Sequence, residues 1–145
     1  TKVAHNTSNG SDHGIRVAEA YLNRAEAFIR RSLATGNAGD RVLALNDLNV
    51  LRETRYVTGS YVDEQITDAN ELLKFCLMER RLELSLEEGF RWFDIKRLGL
   101  SVTHVYIDTE GVEREYILES NSPLYALPIP YDAIERNYRL EQNPR

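Results

Sequence analysis

The stretch ERRLELSLEEGFRWFDIKRLG, from Glu79 to Gly99, constrains the fold of this chain more than any other part of its sequence. It carries five acidic and five basic side chains among apolar ones. At about 100° per residue of an α-helix, the apolar side chains of this stretch and of the turns before it gather on one side: Leu72, Phe75, Cys76, Leu82, Leu86, Phe90 and Phe93. Glu79 and Glu83 fall in the middle of that side. The pattern predicts a helix that neighbouring elements bury, with carboxylates inside its buried face.

These carboxylates need partners, because an isolated buried charge is costly unless it is paired or neutralised. The stretch admits three interpretations: a catalytic site, a solvated helix face or a buried ion network. The abundance of arginine favours the network, since the planar guanidinium forms bidentate hydrogen bonds with carboxylates. We predict a structural network of three acids and three arginines, which two arginines from the first two helices can join: Glu79, Glu83, Asp94, Arg80, Arg91, Arg97, Arg16 and Arg52. The substitution Glu83→Ala is then expected to destabilise the fold by several kcal/mol, because it strands a buried arginine.

A paired-carboxylate glycosidase site is the catalytic alternative, since Glu79 and Glu83 lie at i,i+4 and can face one pocket. Glycosidases usually present such acids on strand ends or cleft loops, and here arginines would keep both carboxylates ionised, which does not suit a general acid. The sequence contains no glycine-rich phosphate loop, Cys–His pair or serine nucleophile elbow. His5, His13 and His104 lack the spacing of a metal site. We therefore predict a protein without catalytic activity, metal or cofactor.

Two amphipathic helices are predicted before the charged stretch. Apolar residues recur at helical spacing over about residues 15–34 and again over about 40–55, where Asp40 is the expected N-cap. A connection of about five residues separates the two ranges. We expect the helices to pack as an antiparallel pair of the size of a tetratricopeptide unit.

A third, longer helix is predicted over about residues 68–98, through the charged stretch. Thr67 or Asp68 can cap its N-terminus, and Asp68 with an acid three residues later resembles a capping box. Gly99 is a typical C-terminal stop, and Gly89 is a point where the helix can kink.

The pattern changes from helical to β-rich after the third helix. Two short runs over about residues 102–118, separated by DTEG, predict a β-hairpin. All four prolines lie in the following tail, 119–145. Pro128 and Pro130 are incompatible with a central strand or helix, so this tail is expected to be extended, with one helical turn over about 132–137.

Composition bounds the class of protein. The net charge of −5, the pI near 5.3 and the lack of a basic run argue against nucleic-acid binding. No apolar run reaches the length of about 20 residues that spans a bilayer, and Cys76, the single cysteine, is expected in the core.

Residues 1–14 are polar and lack an initiator Met, a signal segment and a lipid-attachment cysteine, so we interpret them as a loop where a longer protein was cut. Residues 15–145 are predicted to form one mainly α domain.

Three aromatic residues outside the apolar face are candidates for ligand contact. Tyr56 and Tyr61 flank a loop that contains Gly59, and exposed loop tyrosines can stack on sugar rings. The alternative is that they cover the helix pair. Trp92 lies between charged and apolar residues of the third helix, and we expect it in core or second-layer packing, because a sugar-stacking tryptophan should be exposed.

The charged stretch resembles the C-terminal motif of the SusD/RagB family, which are surface lipoproteins of the Bacteroidetes outer membrane that bind glycans and other nutrients. The residues that match this motif are Glu79, Arg80, Arg81, Glu83, Glu88, Gly89, Arg91, Trp92, Asp94 and Arg97. The stretch IRVAEAYLNRAEA is similar to the family's Arg-x-Ala-Glu helix through Arg16, Glu19 and Glu26. The ending LPIPYDAIERNYRLEQNP is similar to the family's ending through Pro128, Pro130, Asn137, Gln142, Asn143 and Pro144.

This resemblance implies a mainly α-helical fold of tetratricopeptide-like pairs and a binding role without chemistry. It implies an oligosaccharide or other nutrient as ligand and a SusC-like TonB-dependent transporter as partner, at the extracellular face of the outer membrane. The lipid anchor would lie in a part of the protein that this chain lacks, and the chain itself is expected to be soluble. No family binding residue can be carried over onto this chain. A helical-repeat scaffold for protein–protein interactions and a glycan-active enzyme are the alternatives, but the hairpin and the proline-rich tail have no role in a simple scaffold.

Overall fold

A computed structural model describes residues 16–87 and 89–144. Its elements in chain order are α1 Val17–Thr35, α2 Ala38–Glu53, α3 Ala69–Glu83, α4 Phe90–Leu98, β1 Val102–Ile107, β2 Glu113–Leu118, a 3-10 turn Pro123–Tyr125 and α5 Tyr131–Arg136. This mainly α architecture with one small antiparallel sheet confirms the predicted fold class. The loop expected over residues 1–14 lies outside the described residues. The range expected to form one domain divides into two compact units, one ending at Ser85 and one beginning at Leu86.

The first unit is built on an antiparallel helix pair. Arg24 of α1 holds Asp47 of α2 through two hydrogen bonds of 2.7 Å. Two turns further along α1, Arg31 holds Asp40 through bonds of 2.7 and 2.5 Å. Partner numbers fall along α2 as they rise along α1, so the two helices run in opposite directions. The left-handed Gly36 (φ 75°) makes the tight connection possible, because glycine adopts positive φ without a steric penalty.

The helix caps differ in part from those predicted. Asn37 caps α2, and its Oδ1 accepts a hydrogen bond of 2.9 Å from the Gly39 N–H. Asp40, the predicted cap, lies inside α2, where its carboxylate pairs with α1. Asp68 caps α3, and its Oδ1 accepts from the N–H groups of Asn70 and Glu71 at 2.9 Å each.

The core of the first unit lies where α1, α2 and α3 meet. Its fully buried side chains are Leu22, Ala25, Ile29, Ala44, Leu72 and Cys76, with Leu48 nearly so. Cys76 therefore belongs to the core, and its thiol donates to the Leu22 carbonyl at 3.8 Å. Burial of this kind stabilises a fold by about 1.5–3 kcal/mol for each large aliphatic side chain.

The single helix predicted over residues 68–98 is two helices, α3 and α4. The chain leaves α3 at Leu84, and Leu86 adopts a positive φ of 62°, which an α-helix does not allow. A single helical wheel therefore cannot describe the residues after this point. Leu86 and Phe93, which the wheel placed on the buried face, are exposed. Leu82 is also exposed, because the buried arc of α3 is narrower than the wheel suggested and is centred on Leu72, Cys76, Arg80 and Glu83.

The second unit contains the predicted hairpin. The strands β1 and β2 pair in an antiparallel register from Val102↔Leu118 to Ile107↔Glu113. Asp108 closes the turn, since its Oδ1 accepts hydrogen bonds from the N–H groups of Glu110 and Val112 and its Oδ2 accepts one from Arg114 Nε at 2.6 Å. The bond from Arg114, helped by these N–H groups, keeps the pKa of Asp108 below its ordinary value.

The proline-rich tail is held by the amide side chains near its end. The Gln142 amide accepts a hydrogen bond from the Ile129 N–H at 2.8 Å and donates one to the Ile129 carbonyl at 3.0 Å. Asn143 Nδ2 donates to the Leu127 carbonyl. Pro128 and Pro130 on either side of Ile129 have no N–H group, so the side-chain amide of Gln142 takes the place of a neighbouring strand.

Candidate functional site

A segment after α2 folds back along one side of that helix. Residues 61–67 lie along α2 side chains spaced three or four residues apart, among them Leu45, Asn49 and Arg52. Two of these side chains, Asn49 and Arg52, bind the segment and position both candidate tyrosines. We call the surface that α2 and this segment form, with Tyr56, Tyr61 and the cleft between helix and segment, the α2 surface.

Asn49 is the main attachment point of the segment. Its Oδ1 accepts from the Tyr61 hydroxyl at 2.7 Å and from the Glu64 N–H at 3.0 Å, and its Nδ2 donates to the Glu64 carbonyl at 3.3 Å. The side chain is buried, so these bonds are protected from competing water. One amide therefore fixes both the backbone of the segment and the orientation of the Tyr61 ring.

Arg52 organises the aromatic part of the α2 surface. Its guanidinium pairs with Glu79 and with Glu64, and its Nη2 donates to the Tyr56 hydroxyl at 3.0 Å. It lies 5.7 Å from the centre of the Tyr56 ring and 5.9 Å from that of Tyr61, within cation–π range. Burial opposes its charge, but interactions with Tyr61 and Glu79 outweigh burial and raise the pKa of Arg52 above its ordinary value.

The two candidate tyrosines contact each other. Their ring centroids are 4.9 Å apart and the rings are tilted by 53°. Tyr56 is exposed and Tyr61 is half-buried, and burial raises the pKa of the Tyr61 hydroxyl. The loop thus covers part of α2, as the alternative interpretation expected, and it also presents the Tyr56 ring to solvent in a fixed orientation.

A cleft of about 410 Å³ lies between α2 and residues 64–67 of the returning segment. Neither tyrosine is among the described residues that line it, and Asn49, which binds the Tyr61 hydroxyl, connects the tyrosine pair to its wall. Asn49 and Glu64, which hold the segment, are also part of its wall. Among the described residues, the rest of its lining consists of four apolar and four polar ones: Ala38, Val42, Leu45, Ile66, Arg41, Asn46, Gln65 and Thr67. It offers apolar contact area together with several hydrogen-bonding groups, the combination typical of small-ligand sites.

The acids and arginines of the charged stretch have the following partners. Glu83 is held by Arg16 at 3.1 Å and by both nitrogens of the Arg55 fork. Glu79 pairs with Arg52, so Arg16 and Arg52 both reach α3. Arg16, Arg52 and Arg55 thus reach these acids from outside α3, and Arg55 was not among the arginines named from the sequence.

Arg80 contacts side chains of α1. It is buried, and its Nη1 donates to Asn23 Oδ1 at 2.7 Å, with Glu19 at 3.7 Å. In the second unit, Arg97 Nε donates to Asp94 Oδ1 at 2.7 Å, one turn apart on α4. Arg91 is exposed on α4.

Neither a metal site nor a membrane span is present in residues 16–87 and 89–144. These residues contain no cluster of three or more His, Cys, Asp or Glu side chains placed to hold a metal ion. None of their helices is both long and apolar enough to cross a bilayer. The acids that would form a glycosidase pair, Glu79 and Glu83, are held by different arginines, as described above.

Comparison with known proteins identifies the family. Residues 2–145 match the SusD family. The chain belongs to the SusD family. A SusD-like protein P38 of Formosa agariphila is 31% identical over 130 residues, which is 88% of this chain and 23% of that protein. A crystal structure of a SusD-like protein from Bacteroides fragilis superposes with a TM-score of 0.55 at 27% identity, over 87% of this chain and 24% of that one. This SusD-family chain thus spans about a quarter of the length of these relatives.

Proposed function

We propose that this chain is part of a SusD-like surface lipoprotein that binds a glycan without cleaving or modifying it. The protein would pass the glycan to a TonB-dependent outer-membrane transporter. Its membership of the SusD family supports a surface glycan-binding role. The protein would act at the extracellular face of the outer membrane and be attached by a lipid anchor outside this chain. The observation that carries the proposal is the exposed Tyr56 ring, which Arg52 holds in place and which Tyr61 and Asn49 connect to the wall of an open cleft.

The α2 surface has the chemistry that an oligosaccharide requires. Sugar rings have apolar C–H faces, which pack on aromatic rings, and hydroxyl edges, which need hydrogen-bond donors and acceptors. Tyr56 supplies the ring, while the guanidinium of Arg41 and the amides of Asn46 and Gln65 supply polar groups in the cleft between α2 and the segment. Because Asn49 and Arg52 already fix the segment, little conformational entropy is lost when a ligand binds.

We propose that the protein does not hydrolyse the glycan, because no carboxylate pair on the α2 surface resembles a hydrolase site. Glu79 is held by Arg52 beneath the tyrosines, and Glu83 is held by Arg16 and Arg55. A hydrolase needs both carboxyl groups free to reach one substrate, whereas these two are each held in hydrogen bonds with arginines.

A glycan screen followed by calorimetry tests the proposal. The full-length protein and this chain are each applied to an array of oligosaccharides, and binders are titrated by calorimetry and then analysed by chromatography. We expect at least one oligosaccharide to bind and to be recovered intact. Hydrolysis of the bound oligosaccharide, or no binding by the full-length protein, would overturn the proposal. Co-purification with an outer-membrane transporter from the native cell envelope tests the partner separately.

A further inference from the structure

A second aromatic surface lies in the other unit of the chain, on one face of the hairpin. Side chains alternate between the two faces of a strand, so Val102, His104 and Tyr106 of β1 share a face. The register places Tyr116 directly opposite His104, and Arg114 opposite Tyr106. This face therefore combines two tyrosines with a histidine and an arginine.

The two tyrosines of this face form a flat, exposed pair. The ring centroids of Tyr106 and Tyr116 are 5.4 Å apart, and the ring planes differ by only 21°. The two hydroxyl oxygens are 3.4 Å apart. Tyr116 is 60% exposed, so the pair offers solvent both an aromatic surface and a polar edge.

A groove of about 330 Å³ adjoins this pair. His104 and Tyr116 form one wall, and Trp92, Ile95 and Leu124 are among the residues of the rest. Trp92, which the sequence suggested as core or second-layer packing, is half-buried and lines this open groove. The rings of Trp92 from α4, His104 from β1 and Tyr116 from β2 thus line one concave surface within the second unit.

The charge around this groove selects among ligand classes. None of the described side chains that line the groove is an Asp, Glu, Lys or Arg. Arg114, which shares a face of the hairpin with Tyr116, is paired with Asp108. A lining of this kind offers no charged partner to an anionic ligand such as a phosphate, a nucleic acid or an acidic polysaccharide, and it therefore disfavours these ligands. It does not oppose an uncharged ligand.

The geometry points to a second saccharide site, in which Tyr116 and Trp92 contact the C–H face of a neutral sugar ring while the tyrosine hydroxyls and His104 meet its hydroxyl groups. The inference rests on the proposed glycan-binding role. It adds a second binding site and specifies that its ligand is an uncharged saccharide. This hairpin groove and the α2 surface belong to different units, so they can be tested independently.

The single tryptophan of the chain makes a selective test possible. Trp92 lines the hairpin groove, so its fluorescence reports on that site within this chain, whereas calorimetry reports on both sites. This chain is titrated with neutral hexose oligomers, with acidic uronic-acid oligomers and with an apolar peptide as probes. We expect saturable changes in Trp92 fluorescence only with neutral oligomers.

Variants separate this inference from the proposed function. Tyr116→Ala is expected to weaken the fluorescence-detected binding by about tenfold, and Tyr116→Phe, which keeps the ring, by less than about fivefold. Tyr56→Ala is the matched control and should leave this binding unchanged. Circular dichroism and the Tyr116→Phe variant guard against a misfolded hairpin.

Each contrary result has one meaning. No fluorescence response, together with calorimetric binding that Tyr56→Ala weakens, would overturn the inference and leave the proposed function intact. A response to the acidic oligomers or the peptide alone would also overturn it. No binding of any oligosaccharide by either method, in this chain and in the full-length protein, would overturn both.

Discussion

Asn49 pairs with both backbone groups of Glu64: its Oδ1 accepts from the Glu64 N–H at 3.0 Å, and its Nδ2 donates to the Glu64 carbonyl at 3.3 Å. A side chain of α2 thereby imitates a neighbouring strand and holds a segment that has no regular secondary structure of its own. The same Oδ1 accepts from the Tyr61 hydroxyl. The orientation of the α2 surface thus depends on one buried amide.

Replacing Asn49 by alanine should therefore release the segment. The variant loses three hydrogen bonds, and the N–H and C=O groups of Glu64 lose their partner on α2. We therefore expect the free energy of unfolding to fall by about 1–3 kcal/mol. Amide hydrogen exchange at residues 61–65 should accelerate, and urea denaturation measures the loss. Asn46→Ala, at an exposed position one turn earlier, is the control and should stay within about 0.5 kcal/mol of the parent. Equal losses in both variants would show that the amide pairing does not hold the segment.

The two acids of α3 should differ in their contribution to stability. The side chains of Arg52 and Glu79 are 17% and 12% exposed, so Glu79→Ala leaves a mostly buried arginine with Glu64 as its remaining acidic partner and should cost about 2–3 kcal/mol. The side chains of Arg16 and Arg55 are 35% and 50% exposed, so they keep much of their hydration when Glu83 is removed. Glu83→Ala should therefore cost about 1–2 kcal/mol, less than the sequence alone suggested.

Urea denaturation of both variants tests this order. Glu71→Ala removes an exposed pair with Lys74 on the same helix and serves as the control with near-parental stability. A larger loss for Glu83→Ala than for Glu79→Ala would contradict the assignment of Arg52 as the more buried partner.

The pair between Arg31 and Asp40 predicts a pH dependence. The hydrogen bond from Arg31 lowers the pKa of Asp40 from its ordinary value of 3.8. A carboxylate with a lowered pKa in the folded state stabilises the fold above its unfolded pKa, and this stabilisation is lost as pH falls through the folded value. Asp40→Asn should thus be less stable than the parent at neutral pH, and the difference should shrink below pH 3.8. Denaturation at several pH values measures it, and a difference that does not change with pH would contradict the pairing.

The hydrogen bonds between Gln142 and Ile129 give a prediction for the proline-rich tail. Gln142→Ala removes both hydrogen bonds to Ile129, and because the site is exposed we expect a loss of about 1 kcal/mol, or about fivefold faster exchange of the Ile129 amide. Helices of the first unit should be unaffected. Gln65→Ala is the matched control, and protection of Ile129 that survives in Gln142→Ala would show that other contacts hold the tail.

Local sequence signals were sufficient for the class of fold. Helical periodicity located α1 and α2, and alternation with a turn signal located the hairpin, because these patterns reflect which faces are buried. The break between α3 and α4 was not predictable in the same way. The wheel assumes one continuous helix, and nothing in the identity of Leu86 signals a positive φ, which β-carbon sterics disfavour.

The partners within the candidate site depend on tertiary contacts that periodicity does not encode. The excess of arginine near the acids predicted pairing in general, but the pairing of Arg55 with Glu83 depends on how α2 ends beside α3. Asn49 was missed entirely, since an asparagine on a helix has no distinctive pattern. Its i, i+3 spacing to Arg52 and the two tyrosines after it were the available signal.

The affinity of a Tyr56→Ala variant tests the central claim most directly. The full-length protein, carrying Tyr116→Ala so that the hairpin does not contribute, is titrated by calorimetry with the oligosaccharide found in the screen. Removing the exposed ring is expected to raise Kd by about tenfold, whereas Tyr131→Ala, at another exposed tyrosine, should leave it unchanged. A Kd that is the same in Tyr56→Ala and Tyr131→Ala would show that the α2 surface does not bind the glycan.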